Sequence, residues 1–400
     1  MVSRREFLRT STLVALAPTI PTFLAQAARA AAPARDSRIL VVIELSGGND
    51  GINTVVPFKD EGYAKHRKAL RLPADRLHKI TRETGLHPAM GDAATLLETG
   101  RLAIVQGVGY PNPSRSHFDS MAVWHTANVN RSQEANAFLG WIGQALDGGQ
   151  KPADGSPAAQ FIGGGAMPLA LRSRRSVASA ITRPEDAVLA LKGGAKSAGE
   201  ESGGGGELAA FVRRSTLDAY ATSERMAAVL RAADQGAGYP ATGLAGRLRV
   251  IARLIKGGGG TRVYYTSQGG YDTHYVQLQL HDVLLREFSG ALKAFLDDLA
   301  AAQLAERVTV LCFSEFGRRA AENGSQGTDH GTAGPVFLAG PQVKAGVIGE
   351  APKLLDLQDG DLKMTTDFRR VYAGVLEDWL GLPSKPALGA AFDKLALFRS

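Results

Sequence analysis

Between Val308 and Gly340 the chain reads VTVLCFSEFGRRAAENGSQGTDHGTAGPVFLAG, and few architectures can use such a stretch. An apolar run from Val308 to Phe313 breaks off on Ser314 and Glu315. A Gly-rich polar loop then carries Asp329 and His330 before a second apolar run opens at Pro335. Strands that pass polar residues from their carboxyl ends into loops are how open α/β sheets build sites. The arrangement occurs twice more. Arg38 to Leu45 (RILVVIEL) leads into SGGNDG, and Arg262 to Thr266 (RVYYT) leads into GGYDTH.

Helical periodicity separates these runs. It predicts helices over Pro88 to Glu98, His117 to Thr126, Glu207 to Asp234 and Leu244 to Lys256. A long helix follows from Tyr275 to Ala301, with Leu284, Phe288, Leu292, Phe295 and Leu299 as its buried stripe. A last one, marked by Phe368, Val371, Tyr372, Val375, Leu376, Trp379 and Leu380, stops at Gly381 and Pro383. A further strand is expected from Leu102 to Val108. Strands alternating with such helices imply an α/β fold, with a mainly parallel central sheet and helices on both faces. The pattern weakens between Phe161 and Ala180, where a small irregular subdomain or an edge elaboration is expected. Gly193 to Gly206 (GGAKSAGEESGGGG) cannot bury a core and reads as a flexible surface loop. Residues 36–400 are otherwise expected to form one domain.

The first 30 residues read differently. Ser3-Arg4-Arg5-Glu6-Phe7-Leu8 precedes a weakly apolar stretch and the small-residue triplets Ala25-Gln26-Ala27 and Ala28-Arg29-Ala30. That is the pattern of a twin-arginine export signal, so the expected location is periplasmic or secreted, with the twin-arginine translocase as export partner. Removing residues 1–30 takes away four arginines and one glutamate and lowers the formal charge from +7 to +4. A positive balance this modest and unclustered leans toward small anionic ligands and away from nucleic acid. No uncharged apolar run reaches the roughly 20 residues of a membrane span. Cys312 stands alone in a predicted buried strand and reads as a core thiol.

Four constellations carry possible chemistry. In SGGNDG, Asp50 reads equally as a cation ligand at a strand end and as an Asx-turn helix cap. In PNPSRSH, Ser114 and Ser116 precede a predicted helix, where terminal amides favour an anion, and Arg115 can pair with phosphate or sulfate oxygens. Ser116 is also an ordinary N-cap, and His117 and His125 read as packing or surface residues. In GGYDTH, a carboxylate and an imidazole two residues apart, Asp272 and His274, can converge on one divalent ion, with His281 two helical turns on as a weaker candidate. Glu315, Asp329 and His330 form the fourth group, beside Arg318 and Arg319. Carboxylates gathered in a buried site favour a bound cation if they meet.

The export signal together with LSGGNDGINTVVP, YPNPSRSHF, GYDTH, SEFGR, TDHGTAGP and TDFRRVYAGVLEDWLGL resembles the family of exported proteins known as DUF1501. That family is grouped with the alkaline phosphatase and sulfatase superfamily. The resemblance implies an alkaline phosphatase-like fold and a divalent metal (zinc, calcium or magnesium). It implies Asp50 as first ligand, Ser116 or Ser114 as nucleophile, Asp272 with His274 as a middle pair, Glu315 as strand-end carboxylate and His330 as a late ligand. Phe316 stands where that pattern has a His or Asn, so Asp329 becomes the candidate to fill the gap. Asp272 and His274 are also closer than the usual spacing, and Pro111 takes the place a formylglycine-type sulfatase gives to Cys or Ser. The expected function is an exported metal-dependent hydrolase acting on small anionic phosphate or sulfate esters, or on a glycan bearing them. The rival is a non-catalytic envelope or carbohydrate-binding protein on the same scaffold.

Overall fold

The structure is a computed structural model that describes residues 38–130, 139–182, 228–230 and 238–399. The expected export signal, the loop 193–206 and nearly all of the helix expected over 207–234 lie outside these residues.

Strand β1 (Ile39–Leu45) shows how the sheet is made. Every one of its residues is buried, as in a strand covered on both sides. Its side chains alternate between the two faces. Ile39, Val41, Ile43 and Leu45 join one apolar cluster, whereas Leu40 and Val42 join another. The remaining sheet strands are β2 (Leu102–Gly109), β3 (Ala159–Ile162), β4 (Ala178–Ile181), β5 (Val263–Gln268) and β6 (Val308–Phe313). They are followed by β7 (Gly334–Ala339), β8 (Gly346–Ile348) and β9 (Thr366–Asp367). Their order is β8-β2-β7-β6-β1-β5-β3-β4, with β9 also on β2. All pairings are parallel except those of β7, which runs antiparallel to both β2 and β6. The segment expected to be a subdomain or edge elaboration thus supplies the last two strands on one side of the sheet, β3 and the edge strand β4, both parallel.

Helices α1 (Gly91–Glu98), α4 (Gly243–Lys256) and α5 (Gln277–Ala301) cover one face. Leu96, Leu248, Ile251, Phe288, Leu292 and Phe295 pack there on the odd residues of β1. Helices α2 (His117–Thr126), α3 (Trp141–Asp147) and α6 (Phe368–Gly374) cover the other, where Trp124, Trp141, Phe368 and Tyr372 meet Leu40 and Val42. Cys312 is buried, in the cluster of the first face, as a core thiol should be.

Register places the site. Leu45 pairs with Gln268, and Glu44 with Phe313, so β1, β5 and β6 end level with one another. Gly334, the start of the reversed strand β7, lies opposite Val108 near the end of β2. The loops after β1, β2, β5 and β6 and the loop entering β7 therefore all open on one rim. Among the described residues no helix is long and apolar enough to cross a membrane.

Candidate metal centre

Two glycines after β1 let its loop lie against the loop after β5. Gly47 has φ +120°, and a Cβ there would fall 2.4 Å from the Asp272 backbone nitrogen. A Cβ on Gly48 would strike the Phe316 ring at 2.3 Å. The glycines thus serve close approach. The fully buried Arg318 then ties the loops together. It donates to the carbonyls of Gly48 at 2.6 Å, Thr328 at 2.8 Å and Tyr271 at 2.9 Å, to that of Gly47, and to Asp272 Oδ1 at 2.7 Å.

Around Asp272 stand three imidazoles. His117 Nε2 is 3.5 Å from Asp272 Oδ2, while His274 Nε2 and His330 Nε2 each lie 3.1 Å from Oδ1. One ligating atom each from His117, Asp272 and His330 falls within 4.8 Å of the others. His274 joins from the more exposed side, its Nε2 2.9 Å from that of His330. Phe316 packs against the rings of His117 and His330, centroids 4.9 Å apart in each case.

The far nitrogens settle which way each ring is protonated. His330 Nδ1 lies 2.8 Å from the Arg115 carbonyl, which can only accept, so Nδ1 carries the proton. His117 Nδ1 lies 2.8 Å from Glu315 Oε1, and His274 Nδ1 lies 3.3 Å from Asp329 Oδ1. In its neutral form each ring then turns an Nε2 lone pair toward Asp272. His117 Nε2 is buried and has no hydrogen-bond partner. Lone pairs at 2.9 Å repel unless a proton or a cation lies between them, and imidazoles oriented through their far nitrogens are typical of metal sites. The residues present fit a divalent ion.

Partial burial would raise the Asp272 pKa, but the hydrogen bond and charge of Arg318, with the imidazoles beside it in their protonated forms, bring it down to about 2. Asp329 is also lowered, chiefly by the hydrogen bond from Asn323. The hydrogen bond to Glu315 raises His117, against the opposing effect of burial.

The remaining expected ligands are placed differently. Asp50 is not on the cluster. It is fully buried, and Arg67 takes both its oxygens, at 2.5 Å and 3.0 Å. Gln277 and the amides of Ile52 and Asn53 complete its surroundings, so it is the helix cap and not a free ligand. Burial alone would raise its pKa, yet the Arg67 charge holds it low. Glu315 and Asp329 stand one step behind the cluster, as the acceptors that orient His117 and His274. Ser116 caps α2, its Oγ 3.5 Å from the Asp119 amide. Ser114 Oγ donates to Asp119 at 3.2 Å, and Arg115 Nε donates to Asp361 at 2.8 Å. His281 is buried against Asn49.

Residues 37–388 match the family described as "Protein of unknown function (DUF1501)". The chain belongs to this family. No curated protein matches it. Among solved structures it is similar to the C-terminal periplasmic domain of EcEptC from Escherichia coli in complex with Zn, at 10% identity and TM-score 0.42, covering 88% of this chain and 83% of that one. It is similar to a protein in the alkaline phosphatase superfamily from Vibrio parahaemolyticus, at 10% identity and TM-score 0.40, covering 90% and 71%. A third is the phosphonate monoester hydrolase SpPMH from Silicibacter pomeroyi, at 10% identity and TM-score 0.41, covering 90% and 78%.

In this DUF1501 chain the residues that sequence reasoning missed are His117, Arg67, Asn323 and Gln277. From sequence, His117 reads as a packing or surface residue at the start of a helix. A usable signal was its place directly after the Ser-Arg-Ser loop, which register brings to the rim. Asn323, which donates to Asp329 at 3.2 Å and to the His274 carbonyl at 3.0 Å, had no motif to mark it.

Proposed function

We propose that this DUF1501 protein is an exported hydrolase of phosphate or sulfate esters that works with one bound transition-metal ion, zinc being the best match. One observation carries the reading: three imidazoles fixed through their far nitrogens turn Nε2 atoms onto one half-exposed carboxylate, and one of these atoms is buried without a hydrogen-bond partner. A nitrogen-rich donor set favours zinc over magnesium or calcium, which take oxygen ligands. Asp50 is already paired with Arg67, and Glu315 and Asp329 with imidazoles, which supports a single ion.

His117, Asp272 and His330 would hold that ion, with His274 closing the site from the open side. Once bound, it would supply Lewis-acid polarisation of an ester oxygen. Arg318 keeps Asp272 ionised and aimed at the imidazoles. Ser116, immediately before His117 at a helix N-terminus, is the nucleophile in this reading: its Oγ attacks phosphorus or sulfur, and the ester oxygen leaves with the bonding pair. That oxygen takes up a proton as the serine hydroxyl loses one to solvent, and water then cleaves the serine ester to regenerate the hydroxyl. Ser114 and Arg115 belong to the same loop. Arg115 is half exposed and would meet anionic oxygens of the substrate.

The test compares metal-stripped and zinc-reloaded protein on p-nitrophenyl phosphate and p-nitrophenyl sulfate. Reloading should restore turnover of one of them, and Ser116→Ala should lower it by about a thousandfold while zinc stays bound. Turnover indifferent to stripping overturns the proposal. A second reading, a glycan- or envelope-binding protein, is favoured by one feature: Ser114 and Arg115 are already engaged by Asp119 and Asp361, and Ser116 caps a helix. Zinc binding with no hydrolysis of either ester would select it.

A further inference from the structure

Behind the imidazoles, one side chain touches both loops that bring them together. Gln277, the first residue of α5, is fully buried. Its Oε1 accepts from Thr273 Oγ1 at 3.1 Å and from Thr328 Oγ1 at 2.6 Å. Its Nε2 donates to Asp50 Oδ2. Thr273 lies between Asp272 and His274, and Thr328 directly precedes Asp329 and His330. One amide therefore fastens the loop after β5 to the loop entering β7, and fastens both to the Asp50–Arg67 pair.

The backbone around this amide is held at a cost. Val276 has φ 45° and ψ 38°, a left-handed conformation that β-branched residues avoid. Gln326 is also left-handed, at φ 57°, and its carbonyl accepts from the Gln277 amide at 3.0 Å. The Thr328 amide donates to the Thr273 carbonyl at 3.2 Å, a direct tie beside the Gln277 bridge. An extended residue at 276 would carry the chain past this pocket, and the strain turns Gln277 into it.

We propose that Gln277 is a positioning residue for the metal centre. It sets the separation of the loops carrying Asp272, His274 and His330, so that loss of its bonds impairs metal capture beyond any effect on folding. This inference rests on the metal-binding part of the proposed function, and not on the hydrolytic part. Metal sites lose about 10–100-fold in affinity when a group that orients the ligands is removed.

Cobalt(II) is the probe, because its visible absorption reports the ligand arrangement, and zinc affinity is read by competition with a chelator. Gln277→Met keeps the bulk and removes the bonds. It should weaken cobalt and zinc binding by about 10–100-fold and change the cobalt spectrum. Thr273→Val and Thr328→Val each cut one arm, should each give part of that loss, and replace Gln277→Met if it does not fold. Tyr63→Phe is the control. It removes a buried bond to Asn53 at 3.0 Å on the other flank of Asp50 and should lower thermal stability without altering the cobalt spectrum or affinity. If the variants and wild type bind cobalt alike, Gln277 does not position the centre. If the control shifts the spectrum as much as Gln277→Met, the effect is general loosening and the proposal falls. If wild-type protein binds neither ion, the metal reading fails and takes this inference with it.

Discussion

Asp50 and Asp272 sit on the same rim, each in a loop that follows a parallel strand, and the structure treats them in opposite ways. Asp50 is fully buried and paired through both oxygens with Arg67. Asp272 is half exposed at its side chain, takes one guanidinium contact, and faces three imidazole nitrogens. A carboxylate enclosed with an arginine is finished; it has no affinity left for another cation. One that shares its charge with neutral imidazoles still has some. Two acidic residues alike in sequence setting have thus become an anchor and a candidate ligand, and the neighbouring cation decides which.

The contrast breaks most severely at Arg67. Replacing it by Met leaves Asp50 charged and buried with no counter-charge. Breaking a buried pair from one side costs about 3–5 kcal/mol. Urea denaturation of Arg67→Met should show a loss of that size, whereas Asp272→Asn, at a half-exposed position, should change metal-free stability far less. Equal losses would mean that Asp50 and Asp272 are both structural.

Acid should also act on the Asp50 side first. His281 and His87 are buried near it, rings 5.7 Å apart. Burial lowers His281 to about 3 and His87 to about 4. Both folded values lie below the ordinary 6.5, so the unfolded chain takes up protons first. Their stabilising effect is complete above about pH 6.5 and is lost as pH falls toward 4 and then 3. At pH 5 each would have cost about 2 kcal/mol relative to neutral pH. Denaturation of the metal-free protein at pH 7.5, 6 and 5 measures this, and His281→Asn should flatten the slope. A slope undiminished in that variant would place the acid sensitivity elsewhere, since His87 alone accounts for about half of it.

The strands and helices were readable from two patterns, an unbroken apolar run for β1 and a recurrence every three to four residues for α5. His117 to Thr126 coincides with α2, and Asp272, His274 and His330 were legible as strand-end polar residues. What could not be read was the partner of each. Arg67 is 17 residues from Asp50, Glu315 is 198 from His117, and Arg115 is 215 from His330. No local pattern encodes such pairings. They follow from register, from two glycines that permit loop contact, and from a reversed strand that begins at the rim. Asp50 was ambiguous for a related reason: a capping aspartate and a ligating one have the same local sequence, and a residue elsewhere in the chain separates them.

On the Asp272 side a smaller effect is expected from Glu315→Gln. The substitution keeps an acceptor for His117 Nδ1 but removes the charge that makes the imidazole a better donor. Zinc affinity should fall by about 10–100-fold with little change in metal-free stability, since Gly47 retains an oxygen partner. Chelator competition measures it. An unchanged affinity would mean that His117 is not a ligand, and would leave the Asp272 site with two imidazoles.

The smallest expected change separates the two caps of this rim. Asp50 caps the turn Gly51–Thr54 with bonds of 3.2 Å and 3.4 Å, inside a charged pair that the core encloses. Ser116 caps α2 through one bond at 3.5 Å, at a half-buried position. Removing a serine cap costs about 0.5–2 kcal/mol, and so long a bond belongs at the lower end. Ser116→Ala should therefore shift the urea midpoint by less than about 1 kcal/mol equivalent. A loss well above that would make the hydroxyl a structural element of α2 and would favour the non-catalytic reading of the Ser116 loop.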